Sequence, residues 1–492
     1  MAVQSVEKGP FKPSFESLHE YQCPDWFRDA KFGIWSHWGP QSVPMYGDWY
    51  ARNMYVEGSD QYLYHLRHYG HPSKFGYKDI VKLWKAENFD PDGLMDLYYQ
   101  AGARYFVAQA MHHDHFFNYP SKLYHWNSME VGPKKDIVGL WKKAAERYSL
   151  PFGLTEHMGA TFSWWRTNKG CDKEGPYAGV PYDGNDPAFK DFYLENQEHY
   201  DPNKPAEDLM PWLTPNKAWH ENWLSVMKEL IDRYTPDLLY SDSELPFGKD
   251  AYEAGLTAVA DLYNTSAARH GGVNQAVYTQ KDRNRAVYSV GVLDIERSQA
   301  PDIKPEPWQT DTCLGGWFYD VRAKYKRPGH VIEMLVDIVA KNGNLLLNVP
   351  QRPDGTIDEE CKYILKELAS WNKVCGEGIY GTRPFRVSGE GDAKVVINGF
   401  QESEVPWSSS DFRFTRKENQ LYAFMMCWPE NGRAVIKSLT PEEKVREVSL
   451  LGYGKVPFEQ VFGTLVVKLP ETRPTKYVNC LSIRFADAVR GA

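Results

Sequence analysis

Short apolar runs along this chain end in an ionisable residue, and a helix-like stretch follows each one. Phe32 to Ser36 leads into His37, Tyr105 to Ala108 into His112 and His113, and Phe152 to Thr155 into Glu156 and His157. Leu238 to Ser241 ends at Asp242, and Gly291 to Ile295, which contains Asp294, ends at Glu296. Strands buried on both faces of a parallel sheet read as continuous hydrophobic runs. The segments between them carry helical periodicity. Trp223, Met227, Leu230, Ile231 and Tyr234 share one face of the stretch from His220 to Tyr234. Asp90-Pro91 supplies an N-cap followed by proline at the first helical position. Further helices are expected over 137–148, 251–268, 331–340 and 359–371.

Eight strand runs are predicted, near 32–37, 104–111, 152–157, 238–242, 273–279, 291–296, 308–312 and 344–349. With helices between them, this count predicts an α/β fold, a closed (β/α)8 TIM-like barrel whose chemistry sits at the carboxyl ends of its strands. The insert between Trp164 and Pro215 is rich in Pro, Gly, Asp and Tyr and reads as a large loop over that rim. After Arg383-Pro384 the pattern changes to short β-like runs with turns and no helix between them. The runs are Ala393–Asn398, Asp411–Thr415, Leu421–Cys427, Arg433–Ile436, Val445–Leu451, Thr464–Lys468 and Leu481–Phe485. They predict a C-terminal antiparallel β-sandwich. The expected division is therefore a catalytic barrel over 1–383 and a sandwich domain over 384–492.

Composition narrows the function. A length of 492 residues exceeds what one core usually supports, in keeping with two domains. A net charge of −8 argues against a nucleic-acid binder, which shows a basic surface. No apolar run is long enough to span a membrane. Met1 to Pro10 has no apolar stretch of the secretory kind. A cytoplasmic location is expected, or a secreted or periplasmic one if a signal has been removed. Seven dispersed cysteines without a Cys-x-x-Cys pair fit free thiols in a reducing compartment. Aromatic residues make up 14% of the chain, and aromatic faces pack against the C–H faces of sugar rings, so the excess leans toward carbohydrate.

The carboxylates give that lean a chemistry. Retaining glycoside hydrolysis needs one carboxyl to attack the anomeric carbon and another to protonate the leaving oxygen. Asp242, at the end of an apolar strand that follows an amphipathic helix, suits the nucleophile. Glu296 is the best-placed acid/base, with Glu306 and Asp294 as rivals. Arg297 beside it would hold Glu296 ionised unless burial dominates, or would face substrate. His112, His113 and His115 invite a metal reading, but consecutive residues of one strand point to opposite faces and chelate one ion only across a sharp turn. A clamp on sugar hydroxyls is the preferred reading, and no metal or organic cofactor is expected. His37, Asp48 and Trp49 add a similar set near the first strand, with Trp49 suited to stacking on a sugar or on the methyl group of a deoxysugar.

Longer blocks carry a resemblance. Trp26-Phe27, Lys31 to Ile34, His37-Trp38-Gly39 and Trp49 to Tyr55 form the first, and Ala101 to Tyr105 with His112-His113-Asp114 the second. Trp126-Asn127-Ser128 with Val131 to Asp136 form the third. Leu335 to Val339, Asn342 to Asn348 and Asp354 to Ile357 form the fourth. In order and spacing they resemble the α-L-fucosidases of glycoside hydrolase family 29. The resemblance implies a barrel-plus-sandwich architecture and retaining release of terminal α-L-fucose from glycans or glycosides. It implies a nucleophile at Asp242, fucose contacts at His37, His112 and His113, and a first-loop contact at Asp48-Trp49. The chain departs from the family at His115, Asp48 and Ser243, where Gly, Glu and Gly are common. His157 is the expected contact where a tyrosine commonly lies. Two other classes remain open: a metal-dependent hydrolase using His112, His113 and His115, and a non-catalytic fucose-binding protein.

Overall fold

The computed structural model describes residues 8–195, 212–397, 400, 402–487 and 491. Eight parallel strands close into a barrel in chain order: β1 (Phe32–Ser36), β2 (Tyr105–Gln109), β3 (Phe152–Glu156), β4 (Leu238–Ser241), β5 (Val277–Gln280), β6 (Val292–Asp294), β7 (Trp308–Cys313) and β8 (Gly343–Asn348). Closure comes from β1 pairing with both β2 and β8, so that Gly33 lies opposite Tyr105 on one side and Leu346 on the other. Every barrel-strand residue is buried, the condition under which continuous apolar runs replace alternation. Gly33 has a steric reason: a Cβ there would lie 2.3 Å from the Tyr105 ring, which crosses the barrel interior to donate to Gln309 Oε1 at 2.8 Å.

The outer helices follow the predicted faces. Lys217–Tyr234 is capped by Asn216, whose side chain accepts from the Trp219 amide, and it buries Trp223, Met227, Leu230, Ile231 and Tyr234. Pro91–Gln100 is capped by Asp90 as expected, a cap worth about 1 kcal/mol. No helix among the described residues is long and apolar enough to cross a membrane. The described part of the 164–215 insert folds into short helical turns, and residues 196–211 lie outside the described residues.

Beyond the barrel, a six-stranded antiparallel sheet in the order β14-β13-β17-β11-β10-β9 faces a three-stranded sheet in the order β12-β16-β15. The strands are β9 (Arg383–Glu390), β10 (Phe412–Lys417), β11 (Gln420–Met425), β12 (Arg433–Ile436), β13 (Val445–Leu450), β14 (Gly454–Lys455), β15 (Phe458–Val461), β16 (Thr464–Lys468) and β17 (Asn479–Phe485). Phe412, Phe414, Leu465, Val467, Leu481 and Ile483 are part of their shared core. Two expectations are corrected here. The predicted strand Ala393–Asn398 does not form: residues 393–397 are irregular, the Ala393 amide donates to Asp411 Oδ1 at 2.9 Å, and Asn398 lies outside the described residues. Instead β9 begins the sheet, although it contains Pro384. It is an edge strand, where a missing N–H costs no ladder bond.

The sandwich is fastened to the barrel's last helices. Trp371 donates to the Val478 carbonyl at 2.7 Å. The Arg413 guanidinium pairs with buried Asp337, which also binds Lys341 at 2.7 Å.

Candidate active site

One cavity of about 430 Å3 opens at the carboxyl ends of the barrel strands, and it gathers the residues singled out in the sequence. His37 follows β1, His112 and His113 follow β2, His157 follows β3, and Asp242 follows β4. Glu296 and Arg297 follow β6, and Asp48 and Trp49 come from the loop after β1. The strand ladders aim these side chains. The Asp242 amide extends β4 by donating to the Glu156 carbonyl at 3.0 Å. The Ile295 and Arg297 amides donate to the Gln309 and Asp311 carbonyls of β7, both at 2.9 Å, which leaves Glu296 between them directed into the cavity.

Three predicted strand-end residues turn elsewhere. Glu156 is buried behind the rim, accepting from Trp223 Nε1 at 3.0 Å and from the Gly159 amide. Asp114 accepts from the Tyr77 hydroxyl, and burial pushes its carboxyl up to about 7. His115 stacks on Tyr124, with ring centroids 4.3 Å apart, and its Nδ1 lies 3.1 Å from the Phe192 carbonyl. Among the rival acids, Glu306 is ion-paired with exposed Arg285 away from the cavity. Asp294 is fully buried and accepts from Gln309 Nε2 at 2.7 Å.

The chemistry of the rim centres on a residue that the sequence reading missed. Lys281, just past β5, places its ammonium 2.5 Å from Asp242 Oδ1, in contact with Glu296 Oε2 and 3.8 Å from Asp311 Oδ2. Its amide donates to the Ser243 carbonyl at 2.7 Å, which fixes its place beside Asp242. Two carboxylate oxygens on one ammonium lie within about 5 Å of each other. Below them the Tyr240 hydroxyl spans Asp311 Oδ2 at 2.9 Å and Asp242 Oδ1 at 3.2 Å. The apolar run predicted for this strand ends at residue 279, so Lys281 read as loop. Its signal was a cation two positions past a strand end, opposite the aspartate.

Burial opposes charge at both carboxyls, yet they end in opposite states. At Asp242 burial is outweighed by Lys281, with a hydrogen bond from His113 adding to it, and the carboxyl lies well below the ordinary range. His113 Nε2 is 3.2 Å and His157 Nε2 3.9 Å from Asp242 Oδ2. At Glu296 burial prevails over Lys281, the charges of Asp311 and Asp242 add to it, and the carboxyl is pushed up to about 7. Arg297 does not neutralise Glu296, because its guanidinium Nε is turned to Glu402 at 3.3 Å. Burial also raises Asp48, to about 7, against a lowering hydrogen bond from the Trp49 amide.

Beside Asp242 the cavity is walled by imidazoles, of which His37, His112 and His157 are neutral. Burial holds His37 and His112 well below their ordinary range and takes His157 down to about 3. Gln41 donates its amide to His112 Nδ1 at 2.7 Å, so His112 presents an Nε2–H donor to the cavity. His157 Nδ1 donates to the Met111 carbonyl at 3.2 Å and leaves Nε2 as an acceptor. His37, His112 and His157 bring ring nitrogens within 4.8 Å of one another, the spacing of a metal cradle. His113 and His115, predicted with His112 as metal ligands, are not in that trio. Trp35, Trp317 and the Trp49–Trp212 stack, with centroids 5.9 Å apart, supply flat apolar faces around this donor–acceptor set.

A barrel rim holding paired carboxyls beside hydrogen-bonding imidazoles and indoles defines a carbohydrate-cleaving hydrolase. The chain belongs to the α-L-fucosidase family: the family model "Alpha-L-fucosidase" matches residues 1–377, and "Alpha-L-fucosidase C-terminal domain" matches 406–484. It is 28% identical over 480 residues to the tissue α-L-fucosidase of Rattus norvegicus, covering 95% of this chain and 91% of the rat protein. It is 27% identical over 488 residues to the tissue enzyme of Homo sapiens, covering 96% and 92%. The structure of Thermotoga maritima α-fucosidase in complex with fucose superposes with a TM-score of 0.73 at 25% identity, covering 96% of this chain and all of that one.

Proposed function

We propose that this α-L-fucosidase cleaves terminal α-L-fucosides with Asp242 as nucleophile and Glu296 as acid/base. In the first step the Asp242 carboxylate attacks the anomeric carbon. The bond to the leaving oxygen breaks, and Glu296 gives that oxygen its proton. In the second step Glu296, now a carboxylate, takes a proton from water. The water oxygen attacks the same carbon, the ester to Asp242 breaks, and fucose leaves with its original anomeric configuration. The observation that carries this reading is the shared contact with Lys281. It brings one oxygen of each carboxyl within about 5 Å of the other, which supports the close pairing of a retaining enzyme over the wider gap that an inverting one leaves for water.

His37, His112, His113 and His157 bind the fucose hydroxyls in this assignment, and Asp48 and Trp49 close the ring's other side. Residues 1–383 carry the reaction, and residues 384–492 form the sandwich domain. The substrate partner is a fucoside, small or oligosaccharide. The seven free thiols suit a reducing, cytoplasmic setting.

The test pairs chemistry with stereochemistry. Asp242→Ala should lose at least roughly 10³-fold in kcat on an aryl α-L-fucoside. The first fucose released by the wild type, followed by NMR, should be the α anomer. Near-wild-type turnover of the variant, or a β first product, overturns the assignment. A panel of linkage-defined fucosylated oligosaccharides then ranks the natural linkages.

A further inference from the structure

One wall of the active-site cavity comes from beyond the barrel. Phe400, which follows β9 in the chain, lines the same cavity as Asp242 and Glu296. Its side chain is 59% exposed, so it is not part of either hydrophobic core. Phe400 has a built anchor. Two residues on, the Glu402 side chain is only 7% exposed; it accepts from the Thr312 hydroxyl on β7 and pairs with Lys326 at 2.9 Å and Arg297 at 3.3 Å. Further along, Trp407 donates to Glu333 at 3.1 Å and lies 4.7 Å beneath the Arg413 guanidinium. A buried carboxylate shared by two cations is costly to assemble unless its geometry is satisfied, and this one anchors the chain two residues from the exposed phenylalanine of the cavity.

We propose that Phe400 is the stacking platform for the sugar ring attached to the departing oxygen, the first aglycone subsite of the enzyme. The inference rests on the assignment of Glu296 as the acid. The leaving oxygen must then lie beside Glu296, and the aglycone begins there. Arg297, the next residue, also lines the cavity, and its guanidinium is pinned by the carboxylate that anchors the chain beside Phe400. Phe400 lines the same cavity as Glu296, in reach of a ring bonded to that oxygen. The imidazoles beside Asp242 are occupied by the fucose hydroxyls. A cavity of about 430 Å3 falls in the range that encloses drug-sized ligands and exceeds the needs of one deoxysugar. The ligand class is a pyranose with an apolar C–H face, which an exposed aromatic ring binds without a charge partner.

Two substrates isolate the subsite: α-L-fucosyl fluoride, whose leaving group has no ring, and fucosyl disaccharides of defined linkage. Phe400→Ala should lower the ratio of kcat/KM for the best disaccharide to kcat/KM for the fluoride by roughly five- to tenfold. Phe400→Trp should hold or raise that ratio. An unchanged ratio across the disaccharide panel for Phe400→Ala overturns the proposal. Glu296→Gln, assayed on the same pair, keeps the two readings separate. Loss of disaccharide cleavage with retained fluoride turnover supports the acid assignment on which the subsite rests. Equal loss on both substrates overturns that assignment, and the subsite argument falls with it. Retained selectivity for the fluoride in Glu296→Gln, together with an unaltered ratio in Phe400→Ala, sinks the subsite alone.

Discussion

The cavity holds two sets of ionisable groups, buried imidazoles and part-buried carboxyls, and burial alone decides only the first. Around the imidazoles desolvation is the largest influence on His37, His112 and His157 and exceeds the opposing pull of Asp242, so all three stay neutral and serve as hydrogen-bonding groups. On the carboxylate wall the same desolvation meets a single ammonium. Lys281 overcomes it at Asp242, with a hydrogen bond from His113, and fails to overcome it at Glu296, where Asp311 and Asp242 add their repulsion. One lysine thus leaves one carboxyl charged and its neighbour protonated. That is the division of labour a nucleophile and an acid require, and it arises from which neighbours each carboxyl has rather than from how buried each is.

The sharpest way to break this contrast is to remove one carboxyl at a time. Glu296→Gln should cost roughly 10²–10⁴-fold in kcat/KM on substrates with poor leaving groups. Asp48→Asn tests the competing acid, since Asp48 is also pushed up to about 7 by burial. Asp48 does not contact Lys281 among the ion pairs of the described residues, and its oxygen Oδ1 is buried without a hydrogen-bond partner, ready for a sugar hydroxyl. Its loss should therefore raise KM more than it lowers kcat. A steep dependence on leaving-group pKa in Asp48→Asn and not in Glu296→Gln would exchange the two roles.

Next in size is Lys281→Met, which removes the cation that both carboxyls share. The ammonium lowers Asp242 and Glu296 alike, so its loss raises both. The acidic limb of the kcat/KM profile, set by ionisation of Asp242, should move up into the measurable range. The basic limb, set by deprotonation of Glu296, should move above its wild-type position. A fall in activity of roughly 10-fold or more at neutral pH accompanies these shifts, in line with losing a charge-assisted contact. A profile that falls in height while keeping both limbs in place would make Lys281 merely structural. In the wild type, activity should decline as pH rises through about 7, where Glu296 loses its proton, with no acidic limb in the ordinary carboxylate range. Steady kcat/KM from pH 6 to 9 contradicts this.

How much of this was readable in the chain follows from periodicity. The barrel was legible because each of its strands is buried on both faces, so runs such as Leu238 to Ser241 carry no alternation to confuse. His37, His112, His113, His157, Asp242, Glu296 and Arg297 line the cavity because strand ends point to one rim, and Asp48 and Trp49 reach it from the loop after β1. What stayed hidden depended on contacts between distant segments. Lys281 lies past a strand whose end the pattern placed too early, and its meaning comes from Asp242 and Glu296 rather than from its neighbours in sequence. Glu156 looked like a rim carboxylate, but it is turned back by Trp223 from the helix that precedes the next strand. His115 looked like a third ligand, but its positive φ of 55° swings it out of the cavity toward Tyr124. In the sandwich, β9 was concealed by Pro384, which an edge strand tolerates, while the apolar run at 393–397 found no sheet partner.

The imidazole wall carries the smallest effect, and one that is read in stability rather than rate. His157 titrates near 6.5 in the unfolded chain and at about 3 in the fold, where burial is the largest cause. A depressed folded value means that stability is fully present above pH 6.5 and drains away as pH falls toward 3, because the unfolded chain binds a proton that the fold refuses. A single such group costs about 1.4 kcal/mol per pH unit across that window. Many carboxyls titrate in the same range, so the wild-type slope alone is uninformative. The difference between wild type and His157→Gln removes their shared contribution. Denaturant unfolding of both proteins between pH 6 and pH 4 should show the variant losing stability less steeply, by roughly that increment per unit. Parallel slopes would mean that the folded His157 binds its proton as readily as the unfolded one and is charged across that range. The imidazole wall would then carry charge, and the contrast between the two sides of the cavity would disappear.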